Sequence, residues 1–365
     1  MIVVGWILTG MLVVRFIVVT INFFSQLHLP GVKKNGSELL LSVLIPARNE
    51  ADKLPQLIGD LQLSDYSNME ILVCDDQSTD GTPELLEQYQ KEFPHLRSFR
   101  NETLPEGWKG KNHACHQLAL QARGDYLLFL DADVRIGRDF ISRALSYIRT
   151  KKWNLLSMFP QQILASVGEW KTVPIMNWIL LSFLPLPLVR LKWFSSLSAA
   201  NGQMMLFEGS AYRKNCWHEK MKNETVEDIS IARAMKKRKE PIGVLLGKND
   251  ISCRMYSGYE EAITGFSRNV HQYFGGSRAW MIFYNILVWF RIPLLCLFLS
   301  PVYGLGAIVT LFVMKMMVSK MSGQDLRKNI RFHLNHLLSF TLISLRNIEN
   351  YRKGKVEWKG RQYAS

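Results

Sequence analysis

Met69-Glu70-Ile71-Leu72-Val73-Cys74-Asp75-Asp76-Gln77-Ser78-Thr79-Asp80-Gly81 and Asp125-Tyr126-Leu127-Leu128-Phe129-Leu130-Asp131-Ala132-Asp133 decide the fold. Each is an apolar run of strand length that ends in carboxylates. Runs of this kind predict buried parallel strands whose C-terminal ends present acids to a ligand. In open α/β sheets that edge is where ligands sit. Two carboxylates spaced Asp-x-Asp suit a hard divalent cation, and Mg²⁺ in particular is held by one or two carboxylates plus substrate phosphates. The pattern points to a nucleotide-diphosphate substrate handled through a metal.

Outward from these runs, strands and helices alternate. Leu39–Ile45 predicts a first strand, ending in Pro46-Ala47-Arg48-Asn49-Glu50, with a helix over about 51–63. A second helix is expected over Thr82–Phe93, where Pro83 is tolerated in the first turn, and a third over Asn112–Arg123. This alternation predicts an α/β domain with a doubly wound, mixed or parallel sheet, spanning 38–278. Asp80 is assigned to turn chemistry, since Asp-Gly and Ser-x-Asp are ordinary loop and capping patterns. Before the third helix stands Gly107-Trp108-Lys109-Gly110-Lys111-Asn112-His113. Glycine permits close backbone approach, and a lysine beside a helix N-terminus can neutralise phosphate. Lys111 is the residue expected to touch a diphosphate, and His113 is expected to be structural.

Glu227-Asp228 opens a helix running to about Lys239. Acids in a first helical turn meet the helix dipole favourably, whereas a carboxylate held near a donor can act as a general base. From the residues alone the two readings are level.

The chain has 365 residues, 48% of them hydrophobic, and a net charge of +14. Within 319–365, ten basic residues face three acidic ones, a net of +7. A surplus lying beside apolar segments suggests anionic lipid headgroups rather than nucleic acid, for which no fold signature is present. The five cysteines show neither disulfide nor metal spacing.

Residues 1–24 are apolar except for Arg15 and long enough to span a bilayer of roughly 30 Å. With no basic leader and no cleavage site, they read as an uncleaved anchor. Lys33 and Lys34 follow, which predicts a cytoplasmic catalytic domain. The block 279–318, broken at Arg291-Ile292-Pro293 and Ser300-Pro301, predicts a transmembrane hairpin. His333–Leu345 is apolar over too short a run to span and predicts an interfacial helix in a basic cytoplasmic region, 319–365. The proline-bearing segment 173–191 is expected to lie on the membrane, and the whole to be a multi-pass protein of the cell membrane.

Pro46–Glu50, Asp75-Asp76, Asp131-Ala132-Asp133 and Glu227-Asp228, in this order, resemble the family-2 glycosyltransferases, which have the nucleotide-sugar-binding GT-A fold. The resemblance covers about residues 40 to 275. It implies that Pro46, Arg48, Glu50, Asp75, Asp76, Lys111 and Asp131 bind a UDP-sugar, and that Asp131 and Asp133 hold Mn²⁺ or Mg²⁺. It also implies that Asp228 is the catalytic base of an inverting transfer, which breaks the tie above.

Gly110–Cys115, Arg254-Met255-Tyr256 and the tail Val356–Tyr363 are further similar to membrane-bound bacterial enzymes that glycosylate the carotenoid acid 4,4'-diaponeurosporenoate. A lipid or carotenoid acceptor is implied, with glucose as the expected sugar. Other lipids, namely hopanoids, glycerolipids and polyprenyl phosphates, are alternative acceptors. The Gln-x-x-Arg-Trp motif of processive synthases is missing; Gly265-Phe266-Ser267-Arg268-Asn269 stands near its place, which implies transfer of one sugar. A carboxylic acid acceptor is already ionised near neutral pH, so Asp228 would position or repel it unless Arg254 or Arg268 compensates. The competing readings are a sugar-nucleotidyltransferase, for which the loop after the first strand lacks the glycine-rich basic pattern, and a membrane scaffold with a degenerate transferase domain.

Overall fold

The computed structural model describes residues 1–31, 39–358 and 361–364, with side chains as far as residue 354. Lys33 and Lys34 lie outside the described residues, as do the side chains of the Val356–Tyr363 tail. The chain forms two compact units, each drawn from separate stretches of sequence.

The first unit, residues 27–161 and 186–253, is built on eight strands. They are β1 (Leu41–Ala47), β2 (Met69–Asp75), β3 (Leu96–Arg100), β4 (Tyr126–Leu130), β5 (Val134–Ile136), β6 (Leu155–Gln162), β7 (Met204–Glu208) and β8 (Ile242–Cys253). Their spatial order is β3-β2-β1-β4-β7-β6-β8-β5. The half built from the βαβ repeats is parallel: β1 pairs with β2 and β4, and β2 with β3. The other half contains antiparallel pairs, β4 with β7, β6 with β7, and β5 with β8. The sheet is therefore mixed.

The apolar strand residues fill the core. Val43, Leu44, Ile45, Leu72, Val73, Leu127 and Leu130 are buried. Val43, Ile45, Val73 and Leu130 share one cluster with Leu54, Leu57, Ile58 and Leu61, which are spaced at helical periodicity in the helix Leu54–Gln62. Pro46 lies within β1, one residue before its end, and not in the following loop. β1–β4 pairing stops at Leu44↔Phe129, so a residue without an N–H costs nothing on that side.

The second unit comprises residues 1–26, 162–185 and 254–365. Three of its helices, Ile2–Phe24, Arg278–Phe298 and Pro301–Ser322, are long and apolar enough to cross a membrane. The 278–298 helix runs unbroken through Pro293, so no break falls at Arg291-Ile292-Pro293, and the turn between the two helices falls at Leu299-Ser300, where the break at Ser300-Pro301 was expected. The stretch 173–191 is not one helix. Pro174 opens a ten-residue helix to Phe183, pinned to the first helix by Asn22 Nδ2, which donates to the carbonyls of Leu181 and Leu184 at 2.9 Å each. A 3₁₀ turn, Leu186–Arg190, follows Pro185.

The helix beginning at His333 runs to Lys353, well past its apolar stretch. Its buried Ser339 and Asn347 hydrogen-bond Tyr259 and the Ser267 carbonyl of the helix Tyr259–Asn269. Leu334, Leu338, Leu342 and Leu345 form an exposed apolar stripe on it.

Candidate active site

Because β2, β1 and β4 run parallel, their C-terminal ends lie along one edge of the sheet. The loops leaving them are stitched together. Arg48 donates to the carbonyls of Asp76 at 2.6 Å and Gln77 at 3.1 Å, and the Asn49 N–H donates to Ser78 Oγ. Asn49 (φ 54°) and Gln77 (φ 61°) take up left-handed backbone there, which Asn tolerates better than most residues. Arg48 thus shapes the loop through its guanidinium. Asp75 is buried, with Oδ1 accepting from Ser78 N–H at 2.9 Å and Oδ2 3.4 Å from Arg100 Nε. Asp76 is buried beside it. Asp80 accepts from Thr82 and from the Ala51 N–H, the turn role expected of it.

The centre of the site is Lys111, one residue into the helix Gly110–Gln121. Its ammonium lies 2.7 Å and 2.9 Å from the two oxygens of Asp131, 3.3 Å from the Gly202 carbonyl and 3.5 Å from Glu227 Oε1. Burial works against this ammonium, but Asp131 and then Glu227 outweigh it and hold its pKa well above the ordinary lysine range.

Topology explains why Gly202 is there. β4 and β7 are antiparallel with Leu130 opposite Met204, so the residues entering β7 meet those leaving β4. The Asp131 N–H accordingly donates to the Gln203 carbonyl at 3.1 Å.

Asp228 completes the cluster. Its Oδ2 accepts from the Gly202 N–H at 2.8 Å and its Oδ1 from the Ile229 N–H at 2.7 Å. Burial, then the adjacent Glu227 carboxylate, push its pKa up to about 7, against the pull of these two N–H groups and Lys111. A carboxylate poised near neutrality suits proton transfer. The helix 227–237 is held by Asn112, whose Nδ2 donates to the carbonyls of Met221, Lys222 and Glu224 in the loop leading to it.

Asp133 stands on the other side of Asp131. Burial, then Asp131, raise its pKa, and Oδ1 is buried with no hydrogen-bond partner. β5–β8 pairing sets Val134 opposite Cys253, so the Cys253 thiol hydrogen-bonds Asp133, while Gln203 Nε2 donates to Cys253 Sγ at 2.9 Å. Glu50 and Lys53, paired at 3.7 Å, lie within electrostatic reach of Asp133. Two neighbouring carboxylates with an unpartnered buried oxygen form a donor set that a divalent cation would relieve. Among the described residues no group of three or more His, Cys, Asp or Glu is placed to hold a metal ion.

The structure therefore gathers Lys111, Asp131, Asp133 and Asp228 into one site and places Asp75 and Asp76 at the adjoining strand end. Sequence reasoning passed over Glu227 as a partner of Lys111, Gly202 as the donor to Asp228, and Asn112 as the fastening of the loop. Arg254 is taken up by Glu169 at 2.8 Å.

Residues 42–214 match the model of Glycosyl transferase family 2. The chain is 27% identical over 239 residues to the 4,4'-diaponeurosporenoate glycosyltransferase of Staphylococcus haemolyticus (strain JCSC1435), spanning 63% of this chain and 60% of that protein. It is 24% identical over 369 residues to the protein of the same name from Staphylococcus aureus (strain USA300), spanning 93% of each. Among solved structures it is similar to mannosyltransferase PcManGT from Pyrobaculum calidifontis in complex with GDP-Man and Mn²⁺. The TM-score there is 0.55 at 14% identity, covering 95% of this chain and 98% of that one; the likeness is one of fold.

Proposed function

We propose that this chain, whose residues 42–214 match the model of Glycosyl transferase family 2 and whose fold is GT-A-like, is a glycosyltransferase of that family and moves one glucose from UDP-glucose to a lipid acceptor, with inversion and without polymerisation. The acceptor we favour is a carotenoid acid such as 4,4'-diaponeurosporenoate, the substrate in the names of the relatives above. The observation that carries the mechanism is Asp228, held by two backbone N–H groups and poised at about 7 beside Lys111.

A hydroxyl acceptor gives its proton to Asp228 as its oxygen attacks the anomeric carbon from the face opposite UDP. The bond from that carbon to the diphosphate breaks, and Lys111 meets the charge on the departing phosphate. A carboxylate acceptor needs no deprotonation. Asp228, protonated for part of the time at neutral pH, then donates a hydrogen bond to it and orients it, which removes the need for Arg254 as a compensating charge. Asp131 and Asp133 would hold Mn²⁺ or Mg²⁺, which supplies Lewis-acid stabilisation of the leaving group. Asp75, Asp76, Arg48, Glu50 and Pro46 line the edge where base and ribose are expected.

For the whole chain we propose a multi-pass protein of the cell membrane, with the catalytic unit on the cytoplasmic side. The anchor 1–24 and the hairpin 279–318 would span, and the leucine stripe of the helix His333–Lys353 would lie in the interface.

Membranes carrying the chain, given labelled UDP-glucose, Mn²⁺ and 4,4'-diaponeurosporenoate, are expected to form a base-labile, lipid-extractable glycosyl ester. Label in a base-stable lipid instead would keep the transferase and discard the carotenoid acid. Near-normal turnover by Asp228→Asn with a hydroxyl acceptor would remove Asp228 as the base.

A further inference from the structure

The unit built from the long apolar helices contains two buried guanidinium groups with no counterion among the described residues. Arg15, in the middle of the helix Ile2–Phe24, is 5% exposed, and Arg291, inside Arg278–Phe298, is 3% exposed. Arg15 Nη2 donates to Ser182 Oγ at 2.6 Å. Its Cζ lies 4.7 Å from the Phe183 ring centre and 5.2 Å from those of Trp178 and Tyr284. The rings stabilise the cation through their faces, yet Nε and Nη1 of Arg15 are buried without an acceptor.

Nε and Nη1 of Arg291 are in the same state. The two guanidinium groups and the Tyr284 phenol lie within electrostatic reach of one another. Tyr284 Oη is also buried without a partner, as is Nδ1 of His333, which senses both Arg291 and Lys315.

The described acids of this unit are engaged elsewhere. Glu169 pairs with Arg254, Glu260 with Arg346 and Glu349 with Lys353, while Asp325 caps the Lys328 N–H and Glu261 accepts from Ser257. A buried lysine can escape its charge by losing a proton, but a guanidinium cannot. Two like charges in an apolar interior, with four guanidinium nitrogens, a phenol and an imidazole nitrogen left over among the described residues, call for an anion from outside.

We infer that Arg15 and Arg291 form a binding site for an oxyanion, a carboxylate or phosphate, presented as the head group of a membrane amphiphile. The guanidinium fork matches both groups in two-point geometry. The Trp178, Phe183 and Tyr284 rings around Arg15 offer an apolar collar for the first carbons of the tail. This site shares no residue with the Asp228 cluster and does not depend on the transfer reaction proposed above.

The test is binding by the full chain, purified in a neutral detergent and stripped of lipid. Oleate, lysophosphatidic acid, lysophosphatidylcholine and inorganic phosphate are titrated separately, reading Tm and Kd. Oleate and lysophosphatidic acid are expected to raise Tm of the wild type and to bind at least tenfold more weakly to Arg291→Met and Arg15→Met. Lysophosphatidylcholine is expected to leave Tm unchanged. An equal response to inorganic phosphate alone would assign the site to a soluble anion, and its absence to a lipid head.

Removing an unpaired buried cation should leave ligand-free Arg291→Met at least as stable as the wild type, so loss of binding will not reflect unfolding. Should Arg15→Met fail to fold, Arg291→Met carries the test. Equal affinities in wild type and Arg291→Met, or no response to any anion, would overturn the site. These readings stand whatever the transfer assay gives.

Discussion

Gly202 donates its backbone N–H to Asp228 Oδ2 across 2.8 Å, while its Cα faces the rest of the cluster. A Cβ added at 202 would sit 3.0 Å from Glu227 Oε1, 3.3 Å from Lys111 Nζ and 3.6 Å from Asp228 Cβ. The close neighbours are ends of side chains, so Gly202→Ala is expected to fold and to displace Glu227 and Lys111 by a few tenths of an ångström. The expected cost is roughly tenfold in kcat/KM, with Gly202→Val far worse, because small misplacements of catalytic groups are expensive. Steady-state kinetics on the two variants, with circular dichroism to confirm folding, check this.

Asp228 and Lys111 together predict a pH profile. With Asp228 pushed up to about 7, its basic form is lost as pH falls through that value, so kcat/KM for a hydroxyl acceptor should fall with it. Lys111 favours the ionised form of Asp228. Lys111→Met is therefore expected to move this limb to higher pH, besides lowering kcat by roughly 10²-fold through the lost contact to the leaving phosphate. A limb that stays in place in Lys111→Met would show that another group controls it.

Three of the four parallel strands, β1, β2 and β4, were legible because each announces itself locally; β3, with Arg97, Ser98 and Arg100 among its five residues and mostly half-exposed, carries no apolar run and was not foreseen. In β2 the apolar run Ile71–Cys74 and in β4 the run Tyr126–Leu130 are each followed by carboxylates. Pairing between distant segments leaves no such mark. Nothing near Asn201-Gly202-Gln203 says that β7 runs antiparallel to β4 and carries Gly202 to Lys111. Nor does any local pattern tell that Cys253 will meet Asp133 through β8 and β5.

The carboxylates were found by type and spacing, whereas Asn112 and Glu227 act through partners that only folding supplies. The helix from His333 was read short for a different reason. The apolar run ends at Leu345, but Arg346–Lys353 continue the helix on polar contacts with Glu260, Thr264 and Ser267.

The Asp131–Asp133 pair predicts opposite effects on stability and activity. Asp133 carries a buried carboxyl that burial and Asp131 both disfavour as an ion. Asp133→Asn should raise the Tm of the ligand-free protein. The same change should erase the extra stabilisation that Mn²⁺ adds to UDP in the wild type, since a ligand bound only by the native state raises Tm. Apparent metal affinity is expected to fall by at least about tenfold. Thermal melts with UDP, with Mn²⁺ and with both, on the two proteins, decide it; equal metal responses would take Asp133 out of the site.

Asn112 links the helix that carries Lys111 to the loop that delivers Asp228. Its amide donates to the Met221, Lys222 and Glu224 carbonyls at 2.7, 3.3 and 3.0 Å, and the side chain is fully enclosed. Asn112→Ala leaves those carbonyls without this donor, at a cost of about 1–3 kcal/mol by the usual penalty for buried unsatisfied groups. The loop also sets where the helix Glu227–Lys237 begins. Loosening it should lower kcat more than it raises KM for UDP-glucose, because Asp228 is misplaced while Asp75 and Asp76 are untouched. Asn112→Asp has no N–H to give and should behave like the alanine variant. Were Asn112→Asp to keep full kcat, the amide would be a packing residue without a share in placing Asp228.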